Sequence, residues 1–211
     1  MFTKVVCRAV ALLLLLLSLP ANSDWGEQLG LKSGHLLVAT PQHKDGSFAR
    51  SVVLLVGYGS SGARGLIVNR RGDSDLAADF GDVVTAAVAS QPLFFGGPVG
   101  PEHRLMLANF RNPDDGAFEV VPGVFFVHGR RLLNSLTQVP ESGAVYRVFT
   151  GFAGWGPLQL EHEVARGDWF VVPASRHYVL DVEPEQLWSE LIRYYEAQMA
   201  SLERSSTSGD G

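Results

Sequence analysis

The amino-acid sequence predicts an α+β fold in which strands form hairpins and helices flank the sheet. Short apolar runs, ended by glycine, proline or polar residues, are typical of buried strands. Helical patterns follow only some of these runs, whereas a doubly wound parallel sheet needs strand and helix to alternate throughout. After removal of a leader segment, the 211-residue chain suits one domain.

The first 23 residues have the three regions of a secretory signal peptide. Lys4 and Arg8 make the start positive, residues 10–17 form an unbroken apolar run, and Ala21-Asn22-Ser23 is a cleavage signal before Asp24. The apolar run is shorter than the roughly 20 residues that a membrane-spanning helix needs. We therefore expect cleavage after Ser23 and an exported protein, periplasmic or secreted, with no stable membrane span; retention as an anchor is the alternative.

Charge and cysteine content exclude several classes of function. The formal net charge is −5, and it becomes −7 once Lys4 and Arg8 are removed, so no nucleic-acid partner is expected. The only cysteine, Cys7, lies in the leader, which leaves the remainder without a thiol for disulfides, nucleophilic catalysis or metal binding. No two of the six histidines have the i, i+4 spacing of a helical zinc site. We predict no metal and no cofactor.

The first half of the domain is predicted to consist mainly of strands. Apolar runs predict strands at 34–40, 51–56, 65–69, 92–95 and 105–108. Asp73-Ser74-Asp75 suits the cap of a short helix, and residues 79–89 have a weak helical pattern. Gly57–Gly62 has the literal G-x-G-x-x-G spacing of a dinucleotide-binding loop. A strand follows it where that function needs a helix, so we interpret the segment as a hairpin loop.

The second half is predicted to add further strands and the longest helix. Strands are expected at 118–121, 124–127, 145–149 and 169–172, and helices at 130–139, 158–165 and 185–202. Residues 205–211 are small and polar, which predicts a disordered tail. The predicted domain therefore extends from residue 24 to residue 204.

The stretch from Thr150 to Glu161 contains the most unusual residue choices in the chain. Its glycines, at 151, 154 and 156, stand around Phe152 and Trp155, where the preceding strand is predicted to end in a turn. Pro157 then suits the first turn of a helix. A strand, a glycine turn and a helix start predict a concave site with free amide groups.

Two other loops are expected to complete a fixed cleft around this stretch. Asn69-Arg70 ends the third strand, and Gly96-Gly97-Pro98 allows a close approach of the backbone. The predicted ligand is an unknown small molecule or protein. The predicted ligand-binding residues are Asn69, Arg70, Gly96, Gly97, Pro98, Thr150, Gly151, Trp155, Gln159 and Glu161.

Three functions fit this cleft. The leading hypothesis is a non-catalytic binding, accessory or regulatory domain, because no credible set of acid, base and nucleophile accompanies the loops. A hydrolase that uses Thr150, or a water activated by Glu161, is an alternative that needs a nearby histidine or second carboxylate. A partner-binding module with exposed Phe152 and Trp155 is another. Structural roles compete with both, since Thr150 could bond backbone groups and Trp155 could fill a core void.

Six short segments carry a family resemblance: Gly34–Pro41, Ser51–Leu55, Gly65–Arg70, Phe95–Val99, Thr150–Trp155 and Gln159–Glu161. Together, in this order, they resemble the YqgE/AlgH family of bacteria. The resemblance implies an α+β domain with a mixed, flattened, barrel-like sheet and a smaller inserted lobe. It implies no established enzymatic activity, and the family name reflects a proposed role in regulating gene expression.

The sequence departs from the family pattern at three positions. Arg71 stands where the family usually has proline, Phe152 where tyrosine is common, and Leu158 where glycine is often found. The leader segment is a further departure, because family members are typically cytoplasmic. Export would exclude direct regulation of transcription by this protein.

We expect protein recovered from the cell envelope to begin with Asp24-Trp25, because cleavage after Ser23 removes the whole leader. N-terminal sequencing of that protein checks the prediction. An intact Met1 on protein recovered from the cytosol would contradict export.

Overall fold

A computed structural model describes residues 22–43, 45–112, 116–129, 131–140 and 142–207. The fold is α+β, as predicted, with a curled half-barrel sheet and flanking helices. The strands are β1 (His35–Ala39), β2 (Val52–Gly59), β3 (Gly62–Ile67), β4 (Arg71–Asp75), β5 (Pro92–Phe95), β6 (Val99–Ala108), β7 (Phe118–Val121), β8 (Val124–His128), β9 (Tyr146–Trp155) and β10 (Trp169–Pro173). The α-helices are α1 (Asn22–Gln28), α2 (Ala77–Phe80), α3 (Ala86–Ala89), α4 (Arg131–Thr137), α5 (Gln159–Ala165) and α6 (Pro184–Thr207).

The strands form one ten-stranded sheet in the order β10-β1-β2-β3-β9-β6-β8-β7. Neighbours along this path are antiparallel, whereas β5 pairs with β9 in parallel and carries β4 on its other side. A side chain at Gly34 would place its Cβ 2.6 Å from the carbonyl oxygen of Val120. The curl of the sheet therefore brings the edge strand β7 next to the start of β1.

Three clusters of buried side chains surround this sheet. The inner core fills the curl, and helix α6 covers it with Leu187 and Leu191. The α5-side core includes Trp155, Leu160 and Trp169, and the α4-side core lies beneath the short helices on the other outer face. None of the helices in the described part of the chain combines the length and hydrophobicity needed to cross a membrane.

The predicted strands are present, but several boundaries differ; β6, expected to begin at residue 105, begins at Val99. Residues 73–75 belong to β4, and Asp75 caps the short helix α2 that follows, since its Oδ1 accepts a hydrogen bond from the backbone N–H of Ala78 (3.2 Å). The glycine turn expected after Phe149 is not a turn, because β9 continues to Trp155. The segment Gly57–Gly62 is a hairpin as predicted, closed by pairing of Gly59 with Gly62.

Both predicted terminal segments lie largely outside the described residues. Residues 1–21 of the predicted signal peptide are not described, and Asn22 and Ser23 belong to α1. At the other end, α6 extends through Thr207, so the first part of the predicted tail is helical. Residues 208–211 of that tail are outside the described range.

Gly151 explains why β9 can continue and still serve two cores. Phe149 faces the inner core, and strict alternation would turn Ala153 and Trp155 to the same face. They instead join the α5-side core, while Phe152 packs against the inner core. Gly151 has φ +64°, and the pairing of β9 with β6 shifts register there. A β-bulge at Gly151 therefore exchanges the two faces of the strand.

A second bulge in β2 makes the same exchange on a nearby strand. Its pairing with β3 shifts between Leu55 and Gly57. Leu55 and Tyr58 are an odd number of residues apart, yet both pack in the α5-side core. The two bulges thus place Tyr58 and Trp155 on the same face of the sheet.

Buried Arg147 joins the end of the chain to the sheet. Its guanidinium donates hydrogen bonds to the carbonyl oxygens of Val68 (3.1 Å), Leu180 (3.2 Å) and Val182 (2.8 Å). It also lies 5.4 Å from the ring centroid of Phe94. Burial lowers the pKa of Arg147 to about 10. The cation thus holds the segment that leads into α6.

We expect Gly151→Ala to lower the free energy of unfolding by more than about 2 kcal/mol, because left-handed backbone costs a non-glycine residue about 1–2 kcal/mol before any clash is counted. The new Cβ would also lie 2.4 Å from the carbonyl oxygen of Gly97. Urea unfolding followed by circular dichroism measures the change.

Gly143→Ala is the matched control, since Gly143 has φ +72° and no heavy atom within 4 Å of an added Cβ. Its expected loss is about 1 kcal/mol, from the backbone conformation alone. Equal losses in the two variants would contradict the packing role of Gly151.

Candidate functional site

The three loops of the predicted cleft are neighbours in the structure. Phe95 pairs with Thr150 in the parallel β5–β9 ladder, and its amide donates to the carbonyl oxygen of Arg70 (2.9 Å). The amide of Gly96 donates to the carbonyl oxygen of Thr150 (2.8 Å). Backbone pairing therefore holds these loops together. A shallow groove of about 430 Å³ lies between Arg70 and Thr150.

Asn69 and Arg70 use their polar groups within the fold. The Asn69 amide group accepts a hydrogen bond from the backbone N–H of Val52 (2.8 Å) and donates to the carbonyl oxygen of Arg50 (2.9 Å). Arg70 donates to the carbonyl oxygen of Ser47 and the hydroxyl of Ser51, both at 2.9 Å. Burial lowers the pKa of Arg70. Both side chains therefore fix the loop that leads into β2.

Gly96 and Gly97 serve close packing against β9. A Cβ at Gly96 would lie 2.3 Å from the carbonyl oxygen of Gly151, and one at Gly97 would lie 2.2 Å from the carbonyl carbon of Phe152. Pro98 follows at the surface. The glycines are thus needed because two backbones touch here, which leaves no room for a ligand at that point.

The hydroxyl of Thr150 is engaged with backbone and with an arginine. It donates to the carbonyl oxygen of Pro101 (2.6 Å) and accepts from Nη1 of Arg104 (3.0 Å). Arg104 is also paired with Asp79. Thr150 therefore ends a hydrogen-bonded chain that fixes the first part of β6 and helix α2 to β9.

Trp155 and Gln159 belong to a second site at the C-terminal end of β9. Trp155 is five residues beyond Thr150, which is about 16 Å along an extended strand. Trp155 is only 7% exposed, and its indole N–H donates to Oε2 of Glu163 (2.8 Å). The indole of Trp169 donates to the same oxygen (2.9 Å), and the Gln159 amide donates to Oε1 of Glu163 (3.0 Å). One carboxylate thus satisfies three donors in the α5-side core. The predicted single cleft is therefore two separate regions.

Glu161 differs from these residues because it forms the wall of a cavity. It is 5% exposed, and its Oε1 accepts a hydrogen bond of 2.6 Å from the hydroxyl of Tyr58. No hydrogen bond from a described residue reaches its Oε2. The cavity has a volume of about 600 Å³, within the usual range for small-molecule sites. We call it the Tyr58–Glu161 cavity; its other lining residues are Glu27, Gly30, Leu31, Lys32, His35, Gly59, Ser60 and Leu158.

The Tyr58–Glu161 cavity has charges of both signs. Burial and the hydrogen bond to Glu161 raise the pKa of Tyr58, so the phenol remains a donor and the carboxylate an acceptor. Burial, followed by the nearby charge of Lys32, lowers the pKa of His35. His35 is therefore neutral at pH 7. Lys32 supplies positive charge to the cavity, and Glu27 and Glu161 supply negative charge.

Leu158 carries backbone strain at this cavity. It has φ +62°, in the left-handed region, and stands immediately before α5. That conformation costs a residue with a Cβ about 1–2 kcal/mol. It explains why glycine suits this position in the family pattern. Here the leucine side chain instead forms part of the cavity wall.

Comparisons with known proteins agree with this fold. A family model described as DUF179, AlgH-like, matches residues 36–200. The chain belongs to the AlgH-like family. A UPF0301 protein of Streptomyces coelicolor is 38% identical over 177 residues, which cover 80% of this chain and 89% of the relative. A UPF0301 protein of Chlamydia abortus is 31% identical over 172 residues, covering 82% and 90%.

Two solved structures resemble this AlgH-like chain. The solution structure of the AlgH protein from Pseudomonas aeruginosa has a TM-score of 0.63 and 25% identity, covering 75% of this chain and 86% of that one. The crystal structure of a Corynebacterium diphtheriae protein has a TM-score of 0.61 and 27% identity, covering 78% and 87%. These similarities support the curled α+β fold of the AlgH-like chain.

The geometry required for hydrolysis is not found at the two candidate residues. Within the described ranges, no histidine or second carboxylate is hydrogen-bonded to Thr150 or Glu161. The neighbouring His162 directs its Nδ1 to the carbonyl oxygen of Leu158 (2.6 Å). Over the same ranges of this AlgH-like chain, no three His, Cys, Asp or Glu side chains are grouped to hold a metal ion.

Sequence reasoning missed Tyr58 and Glu163. Tyr58 is the one aromatic residue of the Gly57–Gly62 segment, and an aromatic ring among glycines indicates a candidate cavity wall. Its partner Glu161 is 103 positions away, a pairing that spacing does not indicate. Glu163 lies in a run of polar residues that is typical of a solvent-facing helix surface, but its carboxylate accepts hydrogen bonds from two indoles.

We expect Glu163→Ala to lower the free energy of unfolding by about 3 kcal/mol, because two buried indole N–H groups lose a charged acceptor. Thermal and urea unfolding, followed by tryptophan fluorescence, measure the effect. Glu196→Ala removes an exposed carboxylate from α6 and is expected to change stability by less than about 0.5 kcal/mol. Similar losses in the two variants would contradict the assigned role.

Proposed function

We propose that this AlgH-like protein is an exported, non-catalytic binding or accessory domain, and that its ligand is a small zwitterion held in the Tyr58–Glu161 cavity. The supporting observation is the buried carboxylate of Glu161, which lines a cavity of about 600 Å³. Its Oε1 is held by Tyr58, and its Oε2 is left without a hydrogen bond to any described residue. A cationic donor fits that oxygen.

The acidic side of the cavity favours an amino group as the recognised cation. A buried carboxylate is stabilised by charge-assisted hydrogen bonds, and an ammonium group supplies several donors. Tyr58 already satisfies one oxygen and fixes the carboxylate in place. Glu27 lines the same cavity and adds negative charge near its opening.

The same cavity also contains a cation that favours an acidic group on the ligand. Lys32 lines the cavity, and none of the ion pairs among the described residues includes it. Its ammonium would pair with a ligand carboxylate while Glu161 and Glu27 hold the amine. A ligand with both charges therefore pairs with the carboxylates and with Lys32, whereas a ligand with one charge pairs with only one of them.

Export remains part of this proposal, and the packing of α1 is relevant to it. Trp25 packs edge-on against His162 at 5.1 Å between ring centroids. A Cβ at Gly26 would lie 1.6 Å from the Tyr58 hydroxyl, so α1 closes over that side chain. A mature chain that begins at Asp24 would keep both contacts and the cavity that α1 helps to form.

The alternative of a partner-binding aromatic patch loses one of its two rings. Trp155 is buried and bonded to Glu163, while Phe152 remains partly exposed. The hydrolase alternative has no supporting base at Thr150 or Glu161. A binding domain therefore has the better support.

We expect zwitterionic ω-amino acids to bind the exported form saturably, and Glu161→Gln to weaken binding by roughly 10-fold or more, since a charge-assisted hydrogen bond contributes about 1.5–3 kcal/mol. Glutamine keeps the shape and can still accept from Tyr58. Isothermal titration calorimetry with 4-aminobutyrate, butylamine and butyrate separates the contributions of the two charged groups.

Glu196→Gln makes the same charge change on the exposed face of α6 and is expected to bind as the wild type does. Both monofunctional probes should bind more weakly than 4-aminobutyrate. No saturable heat from any ω-amino acid of three to six carbons, or equal affinity of the Glu161→Gln variant, would overturn the proposal.

A further inference from the structure

A second concave surface lies on the inner face of the sheet and is not used by the proposed function. It is a groove of about 630 Å³ that continues the inner core toward solvent. Leu105 and Phe126 form its floor at 8% and 7% exposure, whereas Val99 and Phe118 are 41% and 43% exposed. We call it the aromatic groove; its apolar lining is Val56, Val99, Leu105, Phe118, Phe126 and Phe152.

The rings of the aromatic groove are already arranged around an open slot. Phe118 meets Phe126 edge-on at 5.2 Å between centroids, and His103 meets Phe152 edge-on at 6.1 Å. These ring contacts leave apolar faces open to the slot, where an apolar chain could pack against them. Exposed apolar area of this kind is unfavourable in water unless something covers it.

The rim of the groove carries a cation without a carboxylate partner. Arg64 is exposed, its guanidinium lies 5.7 Å from the ring centroid of Phe152, and no ion pair among the described residues includes it. Glu102, which also lines the groove, lies 3.2 Å from Nδ1 of His103. His128 completes the rim beside Phe126. Among the described residues of the rim, Arg64 is therefore the charged group without an ion pair, whereas Glu102 lies against the imidazole of His103.

We infer that the aromatic groove binds a monomeric amphiphilic anion, with an alkyl or aromatic body on the phenylalanines and a carboxylate at Arg64. The guanidinium offers two parallel donors to a carboxylate, and its position over Phe152 places the head group beside the apolar lining of the groove. An apolar floor with one charged group at the rim is the usual composition of a small-molecule site.

This site is independent of the Tyr58–Glu161 cavity. Arg64 and Phe152 face the inner side of the sheet, whereas Tyr58 and Glu161 belong to the α5 side. A variant of the groove therefore leaves the residues of the proposed function unchanged. Loss of one binding activity without the other is the expected behaviour.

The test is calorimetric titration of the mature protein with decanoate below its micelle concentration, with decyltrimethylammonium as the probe of opposite charge. Decanoate is expected to bind with one-to-one stoichiometry, and the cation to bind at least 10-fold more weakly. Arg64→Gln is expected to weaken decanoate binding about 10-fold, because a charge-assisted pair is lost. Val99→Asp is expected to weaken it at least as much by placing a negative charge on the exposed wall.

Arg111→Gln is the matched control, because Arg111 also lies 5.7 Å from a ring, that of Phe125, but does not line the groove. Its decanoate affinity should equal that of the wild type, and thermal unfolding confirms that each variant is folded. Equal effects of Arg64→Gln and Arg111→Gln would overturn the inference. So would binding to anionic vesicles without binding to monomeric decanoate, or a dimer that Val99→Asp dissociates.

Discussion

The exchange of side-chain faces in strand β9 at Gly151 is the constraint on which the arrangement of this protein depends. Before the bulge, Phe149 fills the inner core; after it, Trp155 fills the α5-side core. The inner core and the α5-side core can therefore share one continuous strand. The left-handed φ of +64° and the close carbonyl oxygen of Gly97 restrict the position to glycine. The glycines at 96 and 97 follow from the same contact.

Both candidate sites follow from the bulges. Because each bulge inverts side-chain alternation, Tyr58 points toward α5 and Phe152 toward the inner side. Tyr58 then meets Glu161, and Phe152 meets the groove at the rim residue Arg64. The polar, charged Tyr58–Glu161 cavity and the largely apolar aromatic groove thus lie on opposite faces of the same sheet.

Arg147 and Glu161 are buried and Glu163 is partly buried, and the three charged groups differ in how many of their hydrogen bonds are made. Arg147 donates to three carbonyl oxygens, and Glu163 accepts from three side chains. Such saturation indicates a structural role, since a buried ion is tolerated when its hydrogen bonds are made. Glu161 has one partner and borders a cavity. A carboxylate oxygen without a hydrogen bond beside a cavity thus distinguishes Glu161, a candidate ligand-binding residue, from the structural groups Arg147 and Glu163.

The sequence by itself determined the α+β class, nearly all strands and the Gly57–Gly62 hairpin. These features depend on local periodicity and on which residues permit turns, and both are legible along the chain. The extension of β9 and the separation of Thr150 from Glu161 were decided only by tertiary structure. A glycine-rich stretch suits a turn or a bulge equally well, and only pairing with β5, β6 and β3 selects the bulge. The Tyr58–Glu161 contact arises in the same way, because it joins residues that folding, and not sequence spacing, brings together.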